Sequence, residues 1–136
     1  MAYELSFSDC YKYDSQQEGI EIPAVLRAGG NAIKVLAKID TGATYCLFER
    51  WVGEELGLQV ERGHQQPFIT ANSRFEAYGH EVSIEVLGIE TTSTVYFFAE
   101  SGIARNVLGR RGWLDRLRFG LVDYDQAIYI AEYNKR

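Results

Sequence analysis

From Val35 an apolar run, Val-Leu-Ala-Lys-Ile, ends abruptly in Asp40-Thr41-Gly42, and a second apolar run follows at once to Phe48. Physically this is a buried strand that delivers a carboxylate to a tight turn, with the next strand carrying the chain away. A carboxylate between two apolar strands is costly to desolvate, so a charge there needs either partners or a chemical role. Thr41 beside it offers a hydroxyl that can bond backbone, and Gly42 lets the turn take dihedrals that other residues avoid. Taken alone, the triplet also fits an ordinary turn.

The rest of the chain narrows the choice. At 136 residues it is long enough for one domain whose core hides roughly two-thirds of the unfolded surface. A net charge of -5 argues against nucleic-acid binding, since phosphate neutralisation needs clustered Lys and Arg, and Arg110-Arg111 with Lys135-Arg136 are too few. No apolar stretch reaches transmembrane length, and Met-Ala-Tyr-Glu-Leu-Ser lacks the basic start and apolar middle of a signal peptide. A cytoplasmic protein without membrane partners is expected. Cys10, Cys46, His64 and His80 form none of the spacings of a zinc site, so no metal or other cofactor is expected. Cys46 reads as a small core residue and both histidines as solvated positions.

Taken in order, residues 1–20 suggest a short strand and a polar loop. Ile20 to Arg27 and Ala32 to Ile39 flank Gly29-Gly30-Asn31, which is a hairpin signal. Residues 49–57 place Trp51, Val52 and Leu56 at helix-like intervals before Gly57, predicting a short helix with Trp51 as its anchor. Pro67 to Thr70 and Phe75 to Gly79 flank Ala71-Asn72-Ser73-Arg74, a second hairpin with a polar tip. Glu81 to Leu87 alternates apolar with polar residues, Gly88 turns the chain, and Glu90 to Ala99 returns. A helix-like stretch at Trp113, Leu114 and Leu117 precedes two β-prone runs, Arg118 to Val122 and Ala127 to Tyr133, around Asp123-Tyr-Asp125. This order predicts a mainly β, small closed architecture with one or two short helices.

Asp40-Thr41-Gly42-Ala43, a later Asn106-Val107-Leu108-Gly109-Arg110 and a polar-tipped hairpin between them now stand in one chain. The combination resembles the retropepsin-like aspartic proteases, the single-domain relatives of pepsin, and the helix at 49–57 is similar to their bacterial and cellular branch. The resemblance covers about residues 20–133 and implies a single retropepsin-like domain over 1–136, a small closed β-barrel of the acid-protease type, with 1–19 as an N-terminal extension. It implies that Asp40 is catalytic and that Thr41, Gly42 and Ala43 form the active-site loop. Asn106, Val107, Leu108 and Gly109 would brace that loop, and Ala71, Asn72, Ser73 and Arg74 would form the tip of a substrate-covering flap. Two departures stand out. The tip lacks the glycines of viral relatives, and Thr44 replaces their acid, which leaves Arg110 without that partner.

Hydrolysis of a peptide bond by carboxylates needs an ionised group to take a proton from water and a protonated one to polarise the carbonyl. Two carboxylates about 3 Å apart cannot both ionise, so they share a proton. With one Asp-Thr-Gly per chain, and Asp123 and Asp125 read as solvated, the simplest arrangement is a C2 homodimer facing two copies of Asp40. The expected activity is that of an aspartic endopeptidase acting on a peptide or protein held extended in the cleft. Val25, Leu47 and Phe75 are pocket-wall candidates for which core packing is the alternative role. The competing function is a catalytically silent, dimeric peptide-binding or scaffolding module of the same fold. A metal-dependent hydrolase fails for want of ligands.

Overall fold

A computed structural model describes residues 1–134. Strand β1 (Asp9–Lys12) is followed by the hairpin of β2 (Glu21–Ala28) and β3 (Asn31–Ile39), then by β4 (Leu47–Phe48) and helix α1 (Arg50–Glu55). Next come β5 (His64–Ile69), β6 (Arg74–Val86), β7 (Ile89–Phe98), β8 (Val107–Leu108), β9 (Leu117–Val122) and β10 (Ala127–Glu132). Seven of these strands form one sheet in the order β2-β3-β8-β4-β7-β6-β5, and β2 also pairs with β6. That extra pairing, Val25↔Glu85 to Arg27↔Ser83, closes the sheet on itself. Strands β1, β10 and β9 make a separate antiparallel sheet.

Alternation explains why the circuit closes inward. Ile22, Ala24 and Leu26 of β2 and Val82, Ile84 and Val86 of β6 are all buried, every second residue facing the core. The β2–β3 and β6–β7 connections turn on left-handed backbone, at Gly29 and Gly30 and at Leu87 and Gly88. The main core joins these side chains to Phe48, Val52, Phe97, Leu108 and Trp113, and to Ile128 and Ile130 of the second sheet. A smaller cluster of Leu47, Ala77, Tyr96, Phe98 and Val107, with Tyr45, Phe68 and Phe75 packed on it, lies to one side and becomes the wall of the cleft.

Three expectations are corrected. Trp51 does not anchor α1: it is 45% exposed, while Val52 and Leu56 face the core. The helix approaches the sheet through Gly53, where a Cβ would meet the Phe97 ring at 3.0 Å. Residues Phe75 to Leu87 are not two runs broken at Gly79. Strand β6 runs through it, and Gly79 is needed because a Cβ would come within 2.8 Å of the Thr94 and Tyr96 side chains. His80 is half-buried with a ring nitrogen 2.8 Å from the Val60 carbonyl, whereas His64 is exposed as expected. Cys46 is fully buried and Cys10 exposed. Burial lifts the Cys46 thiol from 9.0 to about 11.

Candidate active site

Asp40 follows directly on β3. Its backbone N–H donates to the Leu108 carbonyl at 3.0 Å, and its own carbonyl accepts from Ala43 N–H at 3.1 Å. The side chain is held in the same turn, with Oδ1 accepting from Gly42 N–H at 2.9 Å. A Cβ on Gly42 would stand 3.3 Å from that oxygen, so glycine keeps the approach open. Oδ2 faces the Arg105 guanidinium at 3.9 Å. The Asp40 side chain is 30% exposed, so its carboxylate is open to solvent on the side of Arg105. Thr41 is exposed beside it.

The segment that the resemblance casts as a brace, Asn106 to Gly109, contains β8. β8 lies between two strands, parallel to β3 at Lys38↔Val107 and Ile39↔Leu108 and antiparallel to β4 at Leu47↔Val107. Val107 and Leu108 are buried beneath the Asp40 turn. Gly109 has no alternative residue, since a Cβ there would sit 2.2 Å from the Tyr45 carbonyl oxygen. Beyond it, Arg110 N–H donates to the Ala43 carbonyl at 2.9 Å and Arg111 N–H to that of Thr44 at 2.8 Å. Arg110 therefore supports the loop through its backbone. Asn106 clips α1 to the brace: its side-chain carbonyl accepts from Glu49 N–H at 3.0 Å and its amide donates to Glu49 Oε2 at 2.9 Å.

The second hairpin faces the segment that leaves the Asp40 turn, Ala43 to Leu47. β5 and β6 pair from His64↔Gly79 to Ile69↔Arg74, with Phe68 opposite Phe75. At the tip Thr70 N–H donates to the Ser73 carbonyl at 2.8 Å, and Ser73 N–H donates to Thr70 Oγ1 at 3.1 Å. Ala71, Asn72 and Ser73 are exposed, and Arg74 opens β6 with an ion pair to Glu76 at 3.1 Å. Between hairpin and that segment is a cleft of about 360 Å³, lined by Ala43, Tyr45, Leu47, Phe68, Phe75, Phe98, Ile103 and Arg105 among others, with Asp40 next to it.

Leu47 and Phe75 thus line the cleft while packing the smaller core, whereas Val25 sits in the β2–β6 seam and takes no part. Asp123 and Asp125 are both exposed as expected, although Asp123 accepts a hydrogen bond from the buried Tyr13 hydroxyl. Sequence reasoning missed Tyr45, Phe68, Ile103 and Arg105. Tyr45 could have been found by stepping two residues from Ala43 to Leu47 along one face of an extended segment. Among the described residues, no group of three His, Cys, Asp or Glu could hold a metal ion.

A family model described as aspartyl protease matches residues 24–111. No curated protein sequence compared with this chain matches it. Among solved structures, a retropepsin-like aspartic protease from Rickettsia conorii aligns at a TM-score of 0.64 and 16% identity, over 94% of this chain and 100% of that one. EIAV protease, solved with an inhibitor, aligns at a TM-score of 0.55 and 15% identity, over 71% of this chain and 86% of the other. At such identities these likenesses speak to the fold, which is retropepsin-like. The family match takes in the Asp40 turn, the hairpin over it and the Gly109 brace, and on that match the chain belongs to the aspartyl protease family.

Proposed function

We propose that the chain is an aspartic endopeptidase, active as a homodimer in which two Asp40 carboxyl groups share one proton. A single observation carries this reading. Asp40 is fixed by backbone beside the hairpin-covered cleft, its Oδ2 3.9 Å from Arg105 of the lining, and among the described residues that lining contains no carboxylate to serve as its partner. One carboxylate can accept a proton from water but cannot at the same moment donate one to the carbonyl oxygen. A second copy across a twofold axis supplies the missing partner.

In such a pair the ionised Asp40 takes a proton from the attacking water while its protonated twin donates to the carbonyl oxygen. Collapse of the tetrahedral intermediate returns a proton to the leaving nitrogen. The Thr41 hydroxyl, exposed next to the carboxylate, would bond across the axis and hold the two turns in register. The substrate would lie extended beneath the tip at Ala71 to Arg74, bonded through its backbone, with one side chain in the apolar cleft. The β1-β10-β9 sheet supports the dimer. Among the described residues the outer edges of β1 and β9 pair with no strand, and β9 exposes Leu121 and Val122. Residues 1–136 we take as one such unit, since Ile128 and Ile130 share a core with Leu26.

The test is digestion of a peptide library from mildly acidic to neutral pH, with Asp40→Asn alongside. Cleavage by the parent that the variant abolishes is expected. No cleavage at any pH, with peptides still bound by both proteins, would overturn the hydrolytic reading in favour of a silent binding module.

A further inference from the structure

Arg105 takes no part in the proton transfers above, yet it stands beside Asp40. Its N–H donates to the Ile103 carbonyl at 3.0 Å, a tight turn that brings both side chains to the same cleft. Ile103 goes down onto the apolar wall, whereas Arg105 stays at the rim with its side chain 53% exposed. Its guanidinium lies 3.9 Å from Asp40 Oδ2, within ionic attraction but beyond hydrogen-bond length. The hollow on its other side is lined by two acids, Glu49, engaged by Asn106, and Glu21, and among the described residues neither forms an ion pair with Arg105. A planar fork of donors is therefore held at the mouth of an apolar cleft, with no hydrogen bond from it to the described residues.

We propose that Arg105 is a specificity-determining residue that binds an acidic side chain of the substrate, an inference that rests on the endopeptidase reading. A carboxylate entering the cleft would pair with the guanidinium in the bidentate geometry that Arg favours, drawing it off Asp40. In an extended substrate, residues two apart share a face and stand roughly 6.6 Å from one another. Arg105 and the apolar wall line one cleft, so the preferred substrate carries a bulky apolar residue and an Asp or Glu two positions apart, flanking the bond that is cut. The aromatic walls of Tyr45, Phe68 and Phe98 set the apolar half of this preference.

The experiment takes a library peptide that the parent cuts and resynthesises it with Glu, Gln or Lys two residues from its bulky apolar residue, across the scissile bond. kcat and KM are measured separately for the parent, Arg105→Gln and Arg105→Glu. The parent should favour Glu over Gln by about tenfold in kcat/KM, mainly through KM, with the preference shrinking as salt is raised. Arg105→Gln should bring that ratio near one, and Arg105→Glu should turn the preference toward Lys. Thermal unfolding of both variants shows whether the fold is intact, and if Arg105→Glu does not fold, Arg105→Gln alone decides. Equal cleavage of the Glu and Gln peptides by the parent, or a preference that survives Arg105→Gln, would overturn the inference and leave the endopeptidase reading standing. Absence of cleavage in the library itself would instead sink the reading beneath it.

Discussion

At the scale of single residues, backbone contacts set the tolerance of the site. Gly109 meets the Tyr45 carbonyl so closely that a Cβ would stand 2.2 Å from its oxygen, and neither side of that contact is a side chain able to swing away. Gly109→Ala is expected to cost about 3 kcal/mol or more, read from a urea unfolding curve. A loss below about 1 kcal/mol would mean that the brace is looser than described. Tyr13 offers a test by titration. Its hydroxyl donates to Asp123 and is buried, which together raise it from 10.0 to about 12. A raised folded-state pKa contributes stability that is complete below pH 10.0 and lost as pH climbs through about 12. The Cys46 thiol, raised from 9.0 to about 11 by burial, adds a decline of the same sign that begins lower. Urea midpoints followed from pH 9 upward should therefore fall more steeply in the parent than in Tyr13→Phe. Parallel curves would contradict the Tyr13–Asp123 bond.

At the scale of elements, α1 shows how far pattern can be trusted. Two adjacent apolar residues, Trp51 and Val52, cannot both face the core of a six-residue helix, and the larger one lost. Val52→Ala should cost about 2 kcal/mol and Trp51→Ala less than about 1 kcal/mol, measured by the same unfolding curves. The reverse order would restore Trp51 as anchor. Periodicity revealed the helix because spacing is local, but not its buried face, because Gly53 is chosen by the Phe97 ring from a distant strand. The same holds for β6, where Gly79 looked like a break and is instead a gap for Tyr96. In the site, Asp40 to Ala43 and Asn106 to Gly109 were legible because each contiguous motif carries its own turn chemistry. Phe68, Ile103 and Arg105 were not, since their meeting depends on the β5–β6 register and on the turn at Ile103.

At the scale of the whole molecule, the proposed function makes a closed sheet with a cleft on one side half of a hydrolytic centre. On that reading the terminal sheet, whose two outer edges pair with no strand among the described residues and whose Leu121 and Val122 face water, is the surface that a second copy would cover. The double variant Leu121→Asp, Val122→Asp should sediment as a monomer and lose cleavage while keeping its cooperative unfolding. A variant that still sediments as a dimer would move the seam elsewhere. Neutralising one of the two acids that proton sharing requires is the most direct test. Parent and Asp40→Asn subunits carrying different tags can be co-expressed, purified through both tags as mixed dimers and assayed before they exchange. Loss of proton sharing should lower kcat/KM at least about 100-fold relative to the parent dimer. A mixed dimer working at half the parental rate would show each Asp40 acting alone and contradict the shared-proton centre.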